Sequence, residues 1–198
     1  MENAHTIHFC LEDDSIDIGR FVVVAADATV GEIVLTAHAA LGLDPSRPGT
    51  LLVAPEFSPD PAGDTPIQVL DVMDEPGLEF FFARGGIATY QPSVGQWGII
   101  IRPLDVAYPM CAMPHLVDAT GPDLLPAAES VEGMAALLGM VRMLLTGLDL
   151  EPEAREQLNS VFPNYPLEQI RTRLTECYPP AIAQRLQELS EASLSFNS

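Results

Sequence analysis

Hydrophobic and polar positions along this chain follow two periods. Thr6–Leu11 reads Thr-Ile-His-Phe-Cys-Leu and predicts a first strand; Ile18–Ala25, carrying Phe21-Val22-Val23-Val24, predicts a second. Glu12-Asp13-Asp14-Ser15 between them is turn material, so the pair predicts an antiparallel hairpin. The period then becomes helical. Val30, Ile33, Val34, Ala37 and Leu41 make one apolar stripe, Thr29 and Glu32 have the spacing of a capping box, and Gly42 suits the stop. Leu51-Leu52-Val53 predicts a third short strand. Ala54–Pro66, with four prolines, predicts a loop. Ile67–Met73 fits a strand or a short helix, and Asp74-Glu75-Pro76-Gly77 a tight turn.

Leu78–Ala83, with Phe80-Phe81-Phe82, predicts a buried strand turned by Arg84-Gly85-Gly86, and Ile87–Tyr90 a further strand or loop. Trp97–Arg102 predicts another strand through Gly98-Ile99-Ile100-Ile101. Pro103–Pro126 is rich in Pro, Gly and Met and reads as irregular. Beyond it the pattern is helical: Ser130–Leu148, Pro152–Val161, Leu167–Cys177 and Pro180–Ser193. Strands with one helix after the first hairpin, followed by a run of helices, predict an α+β fold with a small, mostly antiparallel sheet. The expected division is 1–126 for the sheet part and 127–198 for a helical region packed on it.

Charge narrows the partners. The chain has 28 acidic residues against nine basic ones, all Arg, for a net charge of −19 over 198 residues. Phosphate binding needs clustered cations, so direct nucleic-acid binding and docking on anionic membranes are not expected. A protein partner with a basic surface fits this charge, as does simple solubility. Cys10, Cys111 and Cys177 are too few and too scattered for a disulfide framework. No basic and apolar leader is recognisable, and Gly139 and Arg142 break the longest apolar run, so the expected location is cytoplasmic.

Candidate chemistry is sparse. Cys111 and His115 form a C-x-x-x-H pair which, with Asp118, offers three ligands for zinc if the loop folds back; His5, His8 and Cys10 form a second, looser group. The plainer reading of Cys111 is a small core hydrophobe. Asp13-Asp14, Asp71 and Asp74-Glu75 pair carboxylates, but in hydrophilic turns where neither is desolvated. No phosphate-binding or nucleophile-elbow motif occurs. Arg84, Tyr90, Trp97 and Arg102 fall in one region and are candidate groove residues, with a core Trp as the plainer alternative. Met134, Met140, Met143 and Leu144 make a Met-rich stripe, either a core face or an adaptable surface.

Four segments resemble the plasmid pRiA4b ORF-3-like family. Phe21–Glu32 is similar to its "V-P-A-D-x-T-L-x-x-L" passage, and Ile67–Phe82 to its "L-x-D-V-L-x-x-P-G-x-x-F-x-Y" segment. Trp97-Gly98-Ile99-Ile100-Ile101 stands where that family has "W-x-H-x-I", and Tyr108-Pro109-Met110-Cys111 matches "Y-P-x-C". The resemblance spans about residues 5–125. The family's "Y-D-F-G-D-x-W" string is replaced by Tyr90-Gln91-Pro92-Ser93-Val94-Gly95-Gln96-Trp97, and its histidine after the Trp by Ile99. The resemblance implies the fold of the sheet part and a plasmid or mobile-element context. With the charge, it leads to the expectation of a non-enzymatic acidic interaction protein that binds a basic surface of a nucleic-acid-handling protein. The alternatives are a metal- or thiol-dependent enzyme centred on Cys111 and His115, and a small-ligand module using a Trp97 groove.

Overall fold

The computed structural model describes residues 4–13, 15–44, 48–54, 65–108 and 113–196. The first hairpin is β1 (Ala4–Leu11) and β2 (Gly19–Ala25), followed by α1 (Val30–Leu41) and β3 (Thr50–Val53). Then come β4 (Thr65–Gln68), α2 (Val69–Val72), α3 (Gly77–Ala83), β5 (Ala88–Gln91), β6 (Ile99–Tyr108) and β7 (His115–Thr120). After a short 3-10 turn at Pro126–Ala128, the chain ends in α4 (Val131–Leu145), α5 (Pro152–Val161), α6 (Leu167–Thr175) and α7 (Pro179–Phe196). The protein is α+β. Its strands form one seven-stranded sheet in the order β4-β3-β5-β6-β1-β2-β7, with every neighbouring pair antiparallel.

Side-chain alternation divides the sheet into two faces. Ile7, Phe9 and Leu11, Val22 and Val24, Leu51 and Val53, Tyr90, and Ile99 and Ile101 all point into one core. Val30, Ile33, Val34, Ala37 and Leu41 of α1 close over it, as their helical spacing requires. Val131, Met134, Leu137 and Val141 of α4, and Ile182 and Leu186 of α7, belong to the same buried cluster. The capping box is present: Thr29 Oγ1 accepts from the Glu32 amide at 3.2 Å, and the Thr29 amide donates to Glu32 Oε2 at 2.9 Å.

Two predicted elements are corrected. Leu78–Ala83 is not a strand but most of helix α3. A strand would bury alternate residues, yet Leu78, Phe80 and Phe81 are buried whereas Glu79 and Phe82 face outward, the spacing of one helical face. The β-propensity of three phenylalanines yields to the tertiary demand for a helix over the sheet. Arg84-Gly85-Gly86 therefore joins a helix to a strand, with both glycines at positive φ. Nor is Pro103–Pro126 irregular throughout. β6 runs on to Tyr108, and His115–Thr120 forms β7, an edge strand whose prolines lie outside it. Ile67–Met73 is both of its alternatives in turn, the end of β4 and then α2.

A buried charge fixes the end of α1. Arg20 lies on the core side of β2 and is fully buried. Its Nε donates to the Ala40 carbonyl at 3.0 Å, Nη1 to the carbonyls of Gly19 and Thr120, and Nη2 to Pro122 O at 2.8 Å and Asp123 Oδ1 at 3.3 Å. Arg185 of α7 donates through Nε to Ala39 O at 2.7 Å and through Nη2 to Asp123 Oδ1 at 2.9 Å. His38 O accepts from Gly42 and Leu43, and Leu41 O from Leu124. All four carbonyls that a helix leaves unpaired at its C-terminus are thereby satisfied in the interior.

Candidate functional site

The four predicted groove residues do not share a groove. Arg102 lies on the sheet face opposite the core and is exposed, across from His8 in the β1–β6 ladder. The His8 ring stacks on Phe21 with centroids 4.2 Å apart and planes 8° from parallel. Burial first, then the Arg102 charge, depress the His8 pKa below its ordinary value. Arg84 sits at the end of α3, where its guanidinium lies 4.0 Å from the centre of the Phe80 ring and its Nη1 donates to Phe80 O.

Tyr90 and Trp97 are core residues, 0% and 2% exposed. The Tyr90 hydroxyl is 2.7 Å from His38 Nε2 and accepts from the Gly49 amide at 3.0 Å; His38 Nδ1 is 2.7 Å from the Asp44 carbonyl. Only the Nδ1–H tautomer satisfies all three contacts, so we assign a neutral His38 that donates to Asp44 and accepts from Tyr90. Burial is the main cause of its lowered pKa, partly offset by the Asp44 carbonyl and charge. Trp97 and His38 line a small cavity of about 140 Å³, and Trp97 Nε1 has no hydrogen-bond partner among the described residues.

Of the predicted zinc ligands, Cys111 lies outside the described residues. His115 and Asp118 are exposed on β7. Residues three apart on a strand normally face opposite ways, but the ladder pairs His115 with Val23 and Asp118 with Phe21 and shifts register between them. The bulge puts both side chains on the face opposite the core. Among the described residues, no three His, Cys, Asp or Glu side chains are gathered closely enough to hold a metal. Met134 of the Met-rich stripe is buried, whereas Met143 is 41% exposed.

The surface that sequence reasoning passed over is the crossover from β4 through α2 and α3 to β5. Val69 and Val72 point inward, so Leu70 and Met73 point out, 63% and 40% exposed. Burial of Leu78 and Phe81 likewise leaves Phe82 outside, and Ile87 follows it, at 49% and 46%. Asp71, Asp74, Glu75 and Glu79 stand exposed along the same segment. Arg84 is the sole basic residue from Thr65 to Gln91, and Phe80 engages it. Exposed apolar side chains set among acids are the complement of a basic, amphipathic surface. A three-residue burial period in Leu78–Phe82, had it been preferred over β-propensity, would have marked Phe82 as exposed.

No helix of the described residues is long and apolar enough to cross a membrane. Neither a family model nor a curated protein matches the chain. Among solved structures, the chain is similar to a protein of unknown function from Methanosarcina mazei Go1, with a TM-score of 0.67 at 13% identity, over 91% of this chain and 97% of that one. At this identity the likeness shows a common fold.

Proposed function

We propose that this chain is a non-enzymatic acidic interaction protein of plasmid or mobile-element context, a divergent relative of the pRiA4b ORF-3-like proteins. It docks a basic, amphipathic surface of a nucleic-acid-handling protein. The observation that carries this reading is the β4–α2–α3–β5 crossover. Leu70, Met73, Phe82 and Ile87 are exposed there beside Asp71, Asp74, Glu75 and Glu79, in a chain of net charge −19. The apolar side chains supply area and the carboxylates steer a cationic partner and set its register. The order of motifs between residues 5 and 125 supports the family reading.

The test is an NMR titration of the whole chain with a synthetic amphipathic Arg/Leu helix. Shifts are expected to concentrate in residues 68–87, and Asp74→Lys with Glu79→Lys should weaken binding at least tenfold. Shifts spread evenly over the acidic surface, or salt-sensitive binding of duplex DNA by the chain itself, would remove the proposal.

A further inference from the structure

One row of side chains crosses the sheet on the face turned away from the core. The ladders pair Arg102 with His8, His8 with Phe21, and Phe21 with Asp118, so β6, β1, β2 and β7 each contribute one residue to it. Arg102 and Asp118 at its two ends are exposed; His8 and Phe21 between them are half-buried and stacked. Half-buried Cys10, Ile100 and Leu104 share the face by strand alternation. None of these residues belongs to the core cluster, into which every helix sends apolar side chains.

The charges of the row are unlike those of the chain as a whole. The sequence holds 28 acids, yet Asp118 is the one acid among the described side chains of the seven strands. Arg102 has neither a hydrogen bond nor an ion pair among the described residues, and the hydrogen bond that Asp118 accepts comes from the adjacent Ala119 amide. Neighbouring strands stand roughly 4.8 Å apart, which places Arg102 and Asp118 about 14 Å from each other across three strand spacings, too far to pair. An acidic partner would suit Arg102 and repel Asp118; a basic partner would do the reverse. A surface that carries both charges in the opposite order suits both, and a second copy of the row supplies it by rotation.

From this arrangement we propose that the chain forms a symmetric dimer through this sheet face, the occupant being a second copy of itself. A two-fold axis running along the strands between β1 and β2 sets Arg102 over the partner's Asp118, and Asp118 over the partner's Arg102. The His8–Phe21 stack lies at the centre, over its own copy. Packed sheets lie roughly 10 Å apart with their strands within about 30° of each other, a gap that an Arg and an Asp side chain span together. The half-buried side chains beside the row supply contact area, and the two ion pairs fix the register. The helices remain on the outer faces, so the acidic crossover at residues 68–87 stays free in both copies, and the dimer does not depend on what binds there.

Sedimentation equilibrium of the intact chain over a dilution series at physiological salt tests the dimer. The parent is expected to show a reversible monomer–dimer equilibrium. Arg102→Asp and Asp118→Arg each set like charges against each other twice and should weaken it at least about tenfold. Asp118→Arg makes the chain less acidic overall, so its loss of dimer would come from the row and not from general repulsion. The double variant restores opposite charges in reversed order and should recover most of the parent's affinity. Both side chains are exposed, so the variants should keep the parent's far-UV circular dichroism; Arg102→Gln, which only removes the charge, should weaken the dimer by a smaller factor. A parent that is monomeric at every concentration, a dimer indifferent to either reversal, or a double variant as weak as the single ones would overturn the proposal.

Discussion

The Tyr90 hydroxyl meets the His38 imidazole at 2.7 Å inside the core, joining a strand to the last turn of α1. Tyr90→Phe removes the donor to His38 Nε2 and the acceptor of the Gly49 amide together. Leaving buried polar groups unpaired costs about 1–3 kcal/mol, and Tyr90→Phe is expected to lose that much in urea denaturation. A loss under about 0.5 kcal/mol would mean that water replaces the hydroxyl.

The same pair makes stability depend on pH. Burial holds the folded-state pKa of His38 below its ordinary value of 6.5. The unfolded chain therefore binds the proton more readily than the folded one, and stability rises with pH in that range. The contribution of His38 is complete above about pH 6.5 and is lost as pH falls toward its folded pKa. His8, lowered in the same direction by burial and Arg102, adds to the slope. Thermal melts should show Tm falling from pH 7.5 to 5.5, with a shallower fall in His8→Asn. A Tm that is flat over this interval would contradict the neutral, buried assignment of His38.

Arg20 is expected to be among the costliest single residues to replace. Arg20→Met keeps the length of the stem but strips donors from Ala40, Thr120 and Pro122 and leaves Asp123 with Arg185 alone. Breaking a buried ionic network from one side costs about 3–5 kcal/mol. Arg20→Lys should recover little of it, because an ammonium lacks the planar fork that reaches these separate carbonyls. If Arg20→Lys unfolds within about 1 kcal/mol of the parent, the hub contributes less than its geometry implies.

Much of the fold was legible because local rules and tertiary demand agreed. Thr29, Glu32 and Gly42 announce both ends of α1, and Pro152–Val161 is a helix over the predicted residues. The failures have physical causes. Phe80-Phe81-Phe82 favours strand locally, and only the burial of Phe81 with Leu78 makes it a helix. β7 was hidden by flanking prolines that an edge strand tolerates. The site was less legible. Tyr90, Trp97 and Arg102 are near in sequence, yet Tyr90 points into the core while Arg102 faces the opposite side. Conversely, Arg20, Asp123 and Arg185 are far apart in sequence, and no spacing rule brings them together.

The α1 cap offers a local test. Thr29→Ala removes both the hydroxyl that receives the Glu32 amide and the reciprocal arrangement of the box. A loss of about 0.5–2 kcal/mol is expected in urea denaturation. Thr29→Ser should retain most of it, since the acceptor oxygen is kept; equal losses in the two variants would show that the methyl group, not the cap, matters.

Trp97 separates packing from polarity. Its ring is 2% exposed in the common core, and its Nε1 is buried without a described partner. Trp97→Ala opens a large cavity and should cost about 3–5 kcal/mol. Trp97→Phe loses part of the ring but also removes a buried, unpaired N–H, whose desolvation costs about 1–3 kcal/mol. The two changes oppose each other, so Trp97→Phe is expected within about 1.5 kcal/mol of the parent, the range of tolerated apolar exchanges. Were Trp97→Phe as damaging as Trp97→Ala, the indole N–H must be paired after all, and the cavity of about 140 Å³ beside His38 is where an ordered water would be sought by neutron or high-resolution X-ray diffraction.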